Sequence, residues 1–298
     1  MKNNLSIKTD TLLTPFTDSE QNITDKIGRF WDKISGSWQD VWGPHIHHGY
    51  YENDELISPI SAQIRLIEKL TSLLKIRKGD KVLDAGCGLG GSSMYLAEKF
   101  GAHVSGITLS KVQVDMAEKK AIAKGIKNVS FKVEDALSLK SFRDNSFDLV
   151  WSLESCEQFA DKSLFIKEAK RVMKKDGKFL LATWCSSKDE YIGDEASAYK
   201  QLCLAFDLPY MPSAEYYRKI FETQGLQLDV MLDWTQQVEK SWDIGISLVN
   251  AYSLFKILRK SGLRGLIFTK QLKYMQKGFK NKMVQYMVFV LTRPSGDR

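Results

Sequence analysis

Short apolar runs alternate with helically spaced apolar positions over much of the chain, and this pattern predicts a β-strand and α-helix alternation. The predicted strands are Lys81–Leu83, Ala102–Leu109, Val129–Val133, Phe147–Ser152 and Lys178–Trp184, followed later by Leu226–Trp234 and Met283–Leu291. Helical spacing is clearest at 56–76, 162–173 and 213–225. Such alternation is typical of an α/β domain built on a mostly parallel sheet.

Segments that interrupt the alternation suggest a covering layer of helices. A polar N-terminal stretch without periodicity predicts a mobile tail. We therefore expect a tail at 1–25, an N-terminal helical lid segment at 26–75, an α/β core at 76–185, a lid insert at 186–212, a return to the core at 213–235, a basic lid insert at 236–282 and a final core strand at 283–293.

The positive charge of the chain is concentrated in the second insert. The 298 residues carry a formal net charge of +7, and no acidic residue occurs between Asp243 and Asp297. Basic and apolar residues alternate through 254–282, which suits peripheral contact with an anionic membrane or a lid with a solvated charged face. No nucleic-acid-binding module is recognisable, so we expect no nucleic-acid partner. The oligomeric state is left open.

No apolar run is long enough to cross a bilayer, and the N-terminus has no apolar signal core. We therefore expect a cytoplasmic protein, with peripheral membrane contact as the open alternative. The four cysteines form no CxxC pair, so neither zinc nor a disulfide framework is indicated. Three histidines, His45, His47 and His48, lie close together, but no carboxylate cluster completes a ligand set, so we expect no metal.

A glycine-rich turn joins the first core strand to its helix. Asp84 precedes the turn, and Gly86 and Gly88 allow the tight backbone path and the close approach of a ligand. This Asp-x-Gly-x-Gly turn resembles motif I of the class I S-adenosylmethionine (SAM) methyltransferases. The resemblance implies a Rossmann-like seven-stranded sheet with a mostly helical lid, SAM as cofactor and S-adenosylhomocysteine as product.

Further residues at strand ends extend this resemblance. The run Gly106-Ile107-Thr108-Leu109-Ser110 with Gln113 is similar to the branch containing cyclopropane-forming, sterol and tocopherol methyltransferases. Thr108 stands where a NAD enzyme would keep an acidic residue, which argues against an oxidoreductase. The resemblance implies a cofactor-binding set of Asp84, Gly86, Gly88, Thr108, Leu109, Gln113, Asp135, Ala136 and Leu153, with Asp135 accepting from the adenine amino group.

Two aromatic and acidic segments narrow the resemblance to the γ-tocopherol methyltransferase-like group. These segments are Phe30–Tyr51 and Trp151–Glu157. The acid–base candidates are His47, His48, Glu154 and Glu157, and the expected acceptor-binding rings are Trp31, Trp38, Tyr50 and Tyr51. The group usually has histidine after the second glutamate, whereas this chain has Gln158. If that histidine were the base, its role would pass to His47 or His48.

The expected activity is SAM-dependent methylation of a small aromatic acceptor. Ring C-methylation of a tocopherol-type chromanol is the first hypothesis. An N- or C-methyltransferase of a specialised metabolite, an indole alkaloid or a terpenoid, is the second. A non-catalytic SAM-fold binding protein is an alternative of another class, and it would lack a cavity opening onto the methyl group.

Overall fold

The fold is built on a seven-stranded sheet, seen in a computed structural model that describes residues 5–10, 20–53, 55–251 and 254–296. Its strands are β2 (Lys81–Ala85), β3 (His103–Thr108), β4 (Val129–Val133), β5 (Phe147–Leu153), β6 (Met173–Ser186), β8 (Gln227–Asp233) and β9 (Val284–Thr292). They lie in the order β4-β3-β2-β5-β6-β9-β8. The first five are parallel, and β9 runs antiparallel to both β6 and β8. This arrangement confirms the predicted α/β, Rossmann-like seven-stranded class.

Helices cover both faces of the sheet. They are α1 (Glu20–Trp42), α2 (Pro59–Ser72), α3 (Gly91–Phe100), α4 (Lys111–Ala123), α5 (Lys162–Val172), α6 (Asp194–Ala205), α7 (Ala214–Thr223), α8 (Thr235–Val238), α9 (Lys240–Ala251) and α10 (Leu254–Lys280). A short 3₁₀ turn occupies Cys156–Gln158. Two large apolar clusters pack against the sheet, one containing Trp151 and the other Phe179, and both side chains are fully buried.

Local sequence signals explain where these helices begin. Ser58 caps α2 by accepting a hydrogen bond from the backbone N–H of Ser61, and Pro59 suits the first helical turn. Asp161 caps α5 in the same way through the backbone N–H of Leu164. The helix α10 is interrupted at Gly262, whose φ of 63° and ψ of −163° change the direction of the chain.

The N-terminal segment differs from the expected tail. Within 1–25, residues 1–4 and 11–19 lie outside the described part, but Ser6–Lys8 form β1. This strand pairs antiparallel with β7 (Glu190–Ile192), and α1 already begins at Glu20. A three-residue strand carries too few alternating positions to be recognised in a sequence, and its partner lies in the distant 186–212 insert.

Each of the two predicted inserts contains secondary structure of its own. The stretch 186–212 contains β7 and α6, and 236–282 contains α9 and α10, which pack on one another and on α1. Strand β6 begins at Met173 rather than at the expected Lys178, with an irregular register against β5 between Phe147 and Leu149. Among the described helices, none has the length and apolar content that crossing a membrane requires.

Candidate active site

The glycine-rich turn leaves an open cradle between β2 and α3. Gly86 has a φ of +87°, and a Cβ built there would lie 2.2 Å from the Ser155 Cβ. Gly88 has a φ of +52°, and a Cβ there would meet no atom within 4 Å. The first glycine is thus required by close packing, while the second keeps open the space that a ligand can enter. This cradle fits the cofactor that the turn predicts.

Asp84 stabilises the glycine-rich turn through a buried hydrogen bond to α3. Its side chain is 2% exposed and accepts a hydrogen bond of 2.5 Å from the Ser93 hydroxyl in α3. Burial raises the pKa of the Asp84 carboxyl to about 7, and the Ser93 hydrogen bonds lower it only in part. Asp84 therefore ties the end of β2 to the helix that begins after the turn.

A first cavity, the cofactor cavity, extends from this turn over the carboxyl ends of β2, β3, β4 and β5. Its volume is about 870 Å³, counted with its open mouth. All nine residues expected to bind the cofactor lie on it, namely Asp84, Gly86, Gly88, Thr108, Leu109, Gln113, Asp135, Ala136 and Leu153. Ligands of open α/β sheets bind at this edge, so the arrangement has the location that SAM requires.

Hydrogen bonds fix the polar groups of this cavity. The Thr108 hydroxyl donates to the Gln113 Oε1 at 2.6 Å, which leaves the Gln113 amide nitrogen available as a donor. Asp135 Oδ1 accepts from the backbone N–H of Leu137 at 2.9 Å and holds the turn after β4. Thr108 thus orients the Gln113 amide, whereas an acidic residue at this position would present a carboxylate to the ligand.

A second cavity, the acceptor cavity, lies between the sheet and the helical layer. Its volume is about 800 Å³ with its mouth included, and aromatic rings form most of its wall. Six residues of the predicted catalytic and acceptor-binding sets line it, namely Trp31, Trp38, His47, His48, Glu154 and Glu157. Eleven further residues line it that these predicted sets did not include, among them Trp42, Gln158, Trp184, Phe206 and Trp242.

Tyr50 and Tyr51, which were predicted to bind the acceptor, do not line the acceptor cavity. The Tyr50 ring packs edge-on against Trp234 with ring centroids 5.1 Å apart. Tyr51 is 3% exposed, and its backbone N–H donates to the Gln237 carbonyl. The chain turns away from the cavity after His48, so the Tyr50 ring lies between Lys69 of α2 and Trp234, and the Tyr51 ring lies beside Lys240.

The two cavities share part of their walls. Trp31, Ile46, His47, Glu154 and Gln158 contact both. A group that projects from the cofactor cavity toward these residues therefore faces the acceptor cavity. This shared wall is the geometry that direct transfer between two bound molecules requires.

Glu154 and His48 form a buried pair at the shared wall. Glu154 Oε2 lies 2.6 Å from His48 Nδ1, and Oε1 accepts from the His48 backbone N–H and the Tyr286 hydroxyl, both at 2.9 Å. Burial acts to raise the pKa of Glu154, but the charges and hydrogen bonds of His48 and His47 outweigh it and hold the pKa below its ordinary value. An ionised carboxylate only accepts hydrogen bonds, so His48 carries a proton on Nδ1, and in the neutral imidazole Nε2 is then the proton acceptor.

His47 is fixed in the same tautomer by a different partner. Its Nδ1 lies 2.8 Å from the His48 carbonyl oxygen, which only accepts, so Nδ1 is the donor. Its Nε2 is buried and has no partner in the described part of the protein. Burial lowers the pKa of His47, although the Glu154 carboxylate opposes the shift. His47 is thus a neutral hydrogen-bond acceptor at the boundary of the two cavities.

Glu157 is held in the opposite protonation state from Glu154. Burial, together with the negative charge of Glu154, raises the pKa of Glu157 to about 8. Its Oε1 accepts from the Trp184 backbone N–H at 2.8 Å. The fully buried Lys162 ammonium donates to the carbonyls of Glu157, Phe159 and Tyr210 at 2.9, 2.7 and 3.0 Å. Lys162 therefore anchors the 3₁₀ turn that carries Glu157 and Gln158.

Gln158 has a clear structural role in this chain. Its Oε1 accepts from the Trp31 indole N–H at 2.7 Å, and its Nε2 donates to the Phe206 carbonyl at 3.4 Å. The amide thereby joins α1 to the first insert across the shared wall. A neutral amide does not act as a base, so proton transfer falls to the histidines or the glutamates.

No group of three histidine, cysteine or acidic side chains in the described ranges is arranged to hold a metal ion. His45, the third histidine of the cluster, packs against His47 with ring centroids 5.2 Å apart. Burial, with a further effect from His47, lowers the pKa of His45 to about 3. It lines the cofactor cavity as a neutral ring.

Comparison with known proteins shows the family to which the chain belongs. The methyltransferase domain family matches residues 76–228. The chain is 34% identical to tocopherol O-methyltransferase, chloroplastic, of Arabidopsis thaliana, covering 93% of this chain and 84% of that protein. It is 33% identical to 2-methyl-6-phytyl-1,4-hydroquinone methyltransferase of Synechocystis, covering 74% and 71% of the two chains. Among solved structures, the cyclase SpnF is 24% identical with a TM-score of 0.81, covering 92% of this chain and 97% of that one, and this likeness shows the fold alone.

Proposed function

The chain belongs to the methyltransferase domain family as a class I SAM-dependent methyltransferase, and from this premise we propose that it methylates a ring carbon of a tocopherol-type chromanol. The observation that carries the proposal is the shared wall, where an ionised Glu154 holds His48 beside an aromatic cavity. The names of the two relatives, both acting on prenylated aromatics, support the acceptor class.

The chemistry requires a base because a phenolic hydroxyl must lose its proton before electron density moves to the ring carbon beside it. We assign that role to His48 Nε2, since Glu154 fixes the tautomer and stabilises the imidazolium that forms. Four aromatic rings surround His48, those of Trp184, Trp242, Phe279 and Tyr286, with centroids 5.0–5.8 Å away. These rings enclose the His48 imidazole, which is 5% exposed.

The remaining groups position the reactants. SAM, when bound, supplies a methyl group activated on a sulfonium sulfur. The His47 Nε2 lone pair can accept a hydrogen bond from a group at the boundary of the cavities, and the protonated Glu157 can donate one. Trp31 and Gln158 close the wall between α1 and the first insert, and the surrounding rings exclude water from the transfer path.

The direct test is product analysis after incubation with SAM and γ-tocopherol. The expected product is heavier by one methyl group, and NMR places that group on the ring carbon beside the hydroxyl. A methyl on the hydroxyl oxygen would refute C-methylation while leaving the acceptor class intact. Unchanged γ-tocopherol, with S-adenosylhomocysteine binding demonstrated by calorimetry, would refute the acceptor.

A second candidate, N-methylation of an amine-containing specialised metabolite, is favoured by one observation. The ionised Glu154 lies beside an aromatic wall containing Trp184 and Trp242, and such a combination also attracts a cationic amine. An indole alkaloid or a terpenoid amine would meet this description. A parallel incubation with indole amines distinguishes the two, since mass analysis shows which acceptor gains the methyl group.

We also propose that the outer face of α10 contacts an anionic membrane. Leu263, Ile267 and Tyr274 are 68%, 47% and 46% exposed and fall on one helical face together with the exposed Lys270 and Lys277. Apolar side chains flanked by lysines suit insertion among anionic head groups. Flotation with phosphatidylserine-containing vesicles should recover the protein, and Ile267→Asp should reduce the recovery. Equal recovery with neutral vesicles would refute the electrostatic part.

A further inference from the structure

The first helix forms one wall of the cofactor cavity. Ile27 and Trp31, one turn apart on α1, line this cavity. The segment that follows α1 contributes four more lining residues, Pro44, His45, Ile46 and His47. The opposite walls belong to the sheet and to the turns and helices at its carboxyl edge. The position of α1 therefore decides how closely a bound cofactor is enclosed.

A carboxylate on α1 fastens this helix to the other side of the cofactor cavity. Asp32 Oδ1 accepts from the Ser110 hydroxyl at 2.6 Å and from the backbone N–H of Val112 at 3.2 Å. Ser110 caps α4, and the first turn of α4 contains no acidic residue. The Asp32 carboxylate thus lies where the dipole of α4 favours a negative charge, and it holds α1 against the start of that helix.

The turn that Asp32 holds carries residues of the cofactor cavity. Leu109 directly precedes Ser110, and Ser110 Oγ also accepts from the backbone N–H of Gln113 at 3.1 Å. Leu109 and Gln113 both line the cofactor cavity, whereas Asp32 is not among the described residues that line it. One turn before Asp32, a Cβ at Gly28 would lie 3.0 Å from the Leu109 carbonyl oxygen. Asp32 therefore acts on a cofactor through the packing of α1 and not by contact.

The hydrogen bonds of Asp32 can open because the side chain borders solvent. Asp32 is half-buried and lines a broad groove of about 1770 Å³, counted with its open mouth. This groove adjoins the cofactor cavity, since Leu109 and Asp135 line both. Water in the groove can replace the two hydrogen bonds when α1 moves away, so detachment costs only their modest net strength.

We propose that Asp32 is a positioning residue that holds α1 closed over the bound cofactor, and that α1 detaches from Ser110 when the cofactor enters or leaves. Trp31, next to Asp32, lines both the cofactor and the acceptor cavities and donates to Gln158 at 2.7 Å. Closure of α1 therefore completes the acceptor cavity as well. The inference concerns the cofactor, so it does not depend on the proposed acceptor.

The test measures how fast S-adenosylhomocysteine leaves the enzyme, followed by stopped-flow tryptophan fluorescence. Asp32→Leu removes both hydrogen bonds at similar size, and it should raise the dissociation rate about tenfold, the factor that corresponds to one hydrogen bond to a charged group. The association rate should not fall, because closure follows entry. Asp32→Asn keeps an oxygen that accepts from both donors, so its dissociation rate should return to within about threefold of the wild type.

These rates distinguish a positioning role from a general loss of structure. Faster dissociation in Asp32→Leu that Asp32→Asn largely reverses supports the proposal. A rise below about threefold in Asp32→Leu, an equal rise in both variants, or weaker binding through slower association alone overturns it. No acceptor is present in these experiments, so failure of the proposed acceptor leaves their outcome unaffected.

A second pair of variants replaces the first if Asp32→Leu shows no cooperative thermal transition. Gly28→Ala places a Cβ 3.0 Å from the Leu109 carbonyl oxygen and should speed dissociation, although alanine favours a helix more than glycine does. Gly36→Ala, also on α1, is the matched control, because a Cβ there would meet no atom within 4 Å outside its own helix backbone. Equal dissociation rates in these two variants would overturn the proposal.

Discussion

Replacing Glu154 with glutamine tests the base assignment most sharply. The carboxylate accepts three hydrogen bonds, two from His48 and one from Tyr286. An amide has only one accepting oxygen, so its NH₂ group must face one of these donors. The least costly arrangement keeps Oε1 as the acceptor of the backbone N–H and the Tyr286 hydroxyl, and turns the NH₂ toward His48 Nδ1. His48 must then move its proton to Nε2, the atom proposed to take the phenolic proton.

The expected loss follows from that change of tautomer. Losing a general base lowers a rate by about 10²–10⁴, which corresponds to about 2.7–5.4 kcal/mol of activation free energy. We expect kcat of Glu154→Gln to fall within this range, with the dissociation constant of S-adenosylhomocysteine changed less than tenfold. Steady-state kinetics with γ-tocopherol and calorimetry provide the two measurements.

Tyr286→Phe is the matched control, because it removes one hydrogen bond to Glu154 and leaves the charge and the His48 contact. Its kcat should fall less than tenfold, since one hydrogen bond from a neutral donor contributes about 0.5–1.5 kcal/mol, and somewhat more when the acceptor is a carboxylate. Equal losses in both variants, or a kcat for Glu154→Gln within threefold of the wild type, would show that His48 is not the base.

Three other predictions concern buried titratable side chains. Asp84→Ala should weaken the binding of S-adenosylhomocysteine at least tenfold, as measured by calorimetry. The control Asp115→Ala, on the exposed face of α4, should leave the affinity unchanged. Equal affinities in the two variants would contradict the role of Asp84. Because the folded pKa of Glu157 is raised from 4.5 to about 8, this carboxyl should lower the free energy of unfolding by up to about 1.4 kcal/mol per pH unit as pH rises between these values. In urea titrations, the free energy of unfolding of Glu157→Gln should depend less steeply on pH than that of the wild type. An unchanged pH dependence would show that Glu157 is not the group with the raised pKa. Lys162→Met should lower the free energy of unfolding by about 2–4 kcal/mol in the same titrations, because three carbonyls lose their donor. Lys167→Met, on the exposed side of α5, should lower it by less than about 0.5 kcal/mol. Similar losses in the two variants would refute the anchoring role of Lys162.

The sheet and the cofactor cavity were predictable because their signals are local. Each buried strand is a short apolar run, and Asp84 and Thr108 lie at the carboxyl ends of their strands. In a parallel sheet these ends converge without further information. The positions of nine residues on one cavity therefore followed from strand positions and one glycine-rich turn.

The acceptor cavity was less predictable because it depends on contacts between distant segments. Helical spacing shows that Trp242 has a buried side, but it cannot show that this side faces Trp184 and His48. That pairing depends on how α9 and α10 fold back over the sheet. The same limit explains Tyr50 and Tyr51, whose place beside α8 is set by the Gln237 carbonyl and the Trp234 ring.

The small size of the shared wall has a consequence for how such an enzyme can diversify. Among the residues that the structure describes, only five contact both cavities, and the rest of the acceptor wall comes mostly from the helical segments and the first insert. Substitutions at Trp242 or Leu272 can therefore reshape the acceptor cavity without replacing a residue that lines the cofactor cavity. A lineage with this architecture can exchange one small-molecule substrate for another by drift in its covering helices, while the supply of methyl groups stays intact throughout.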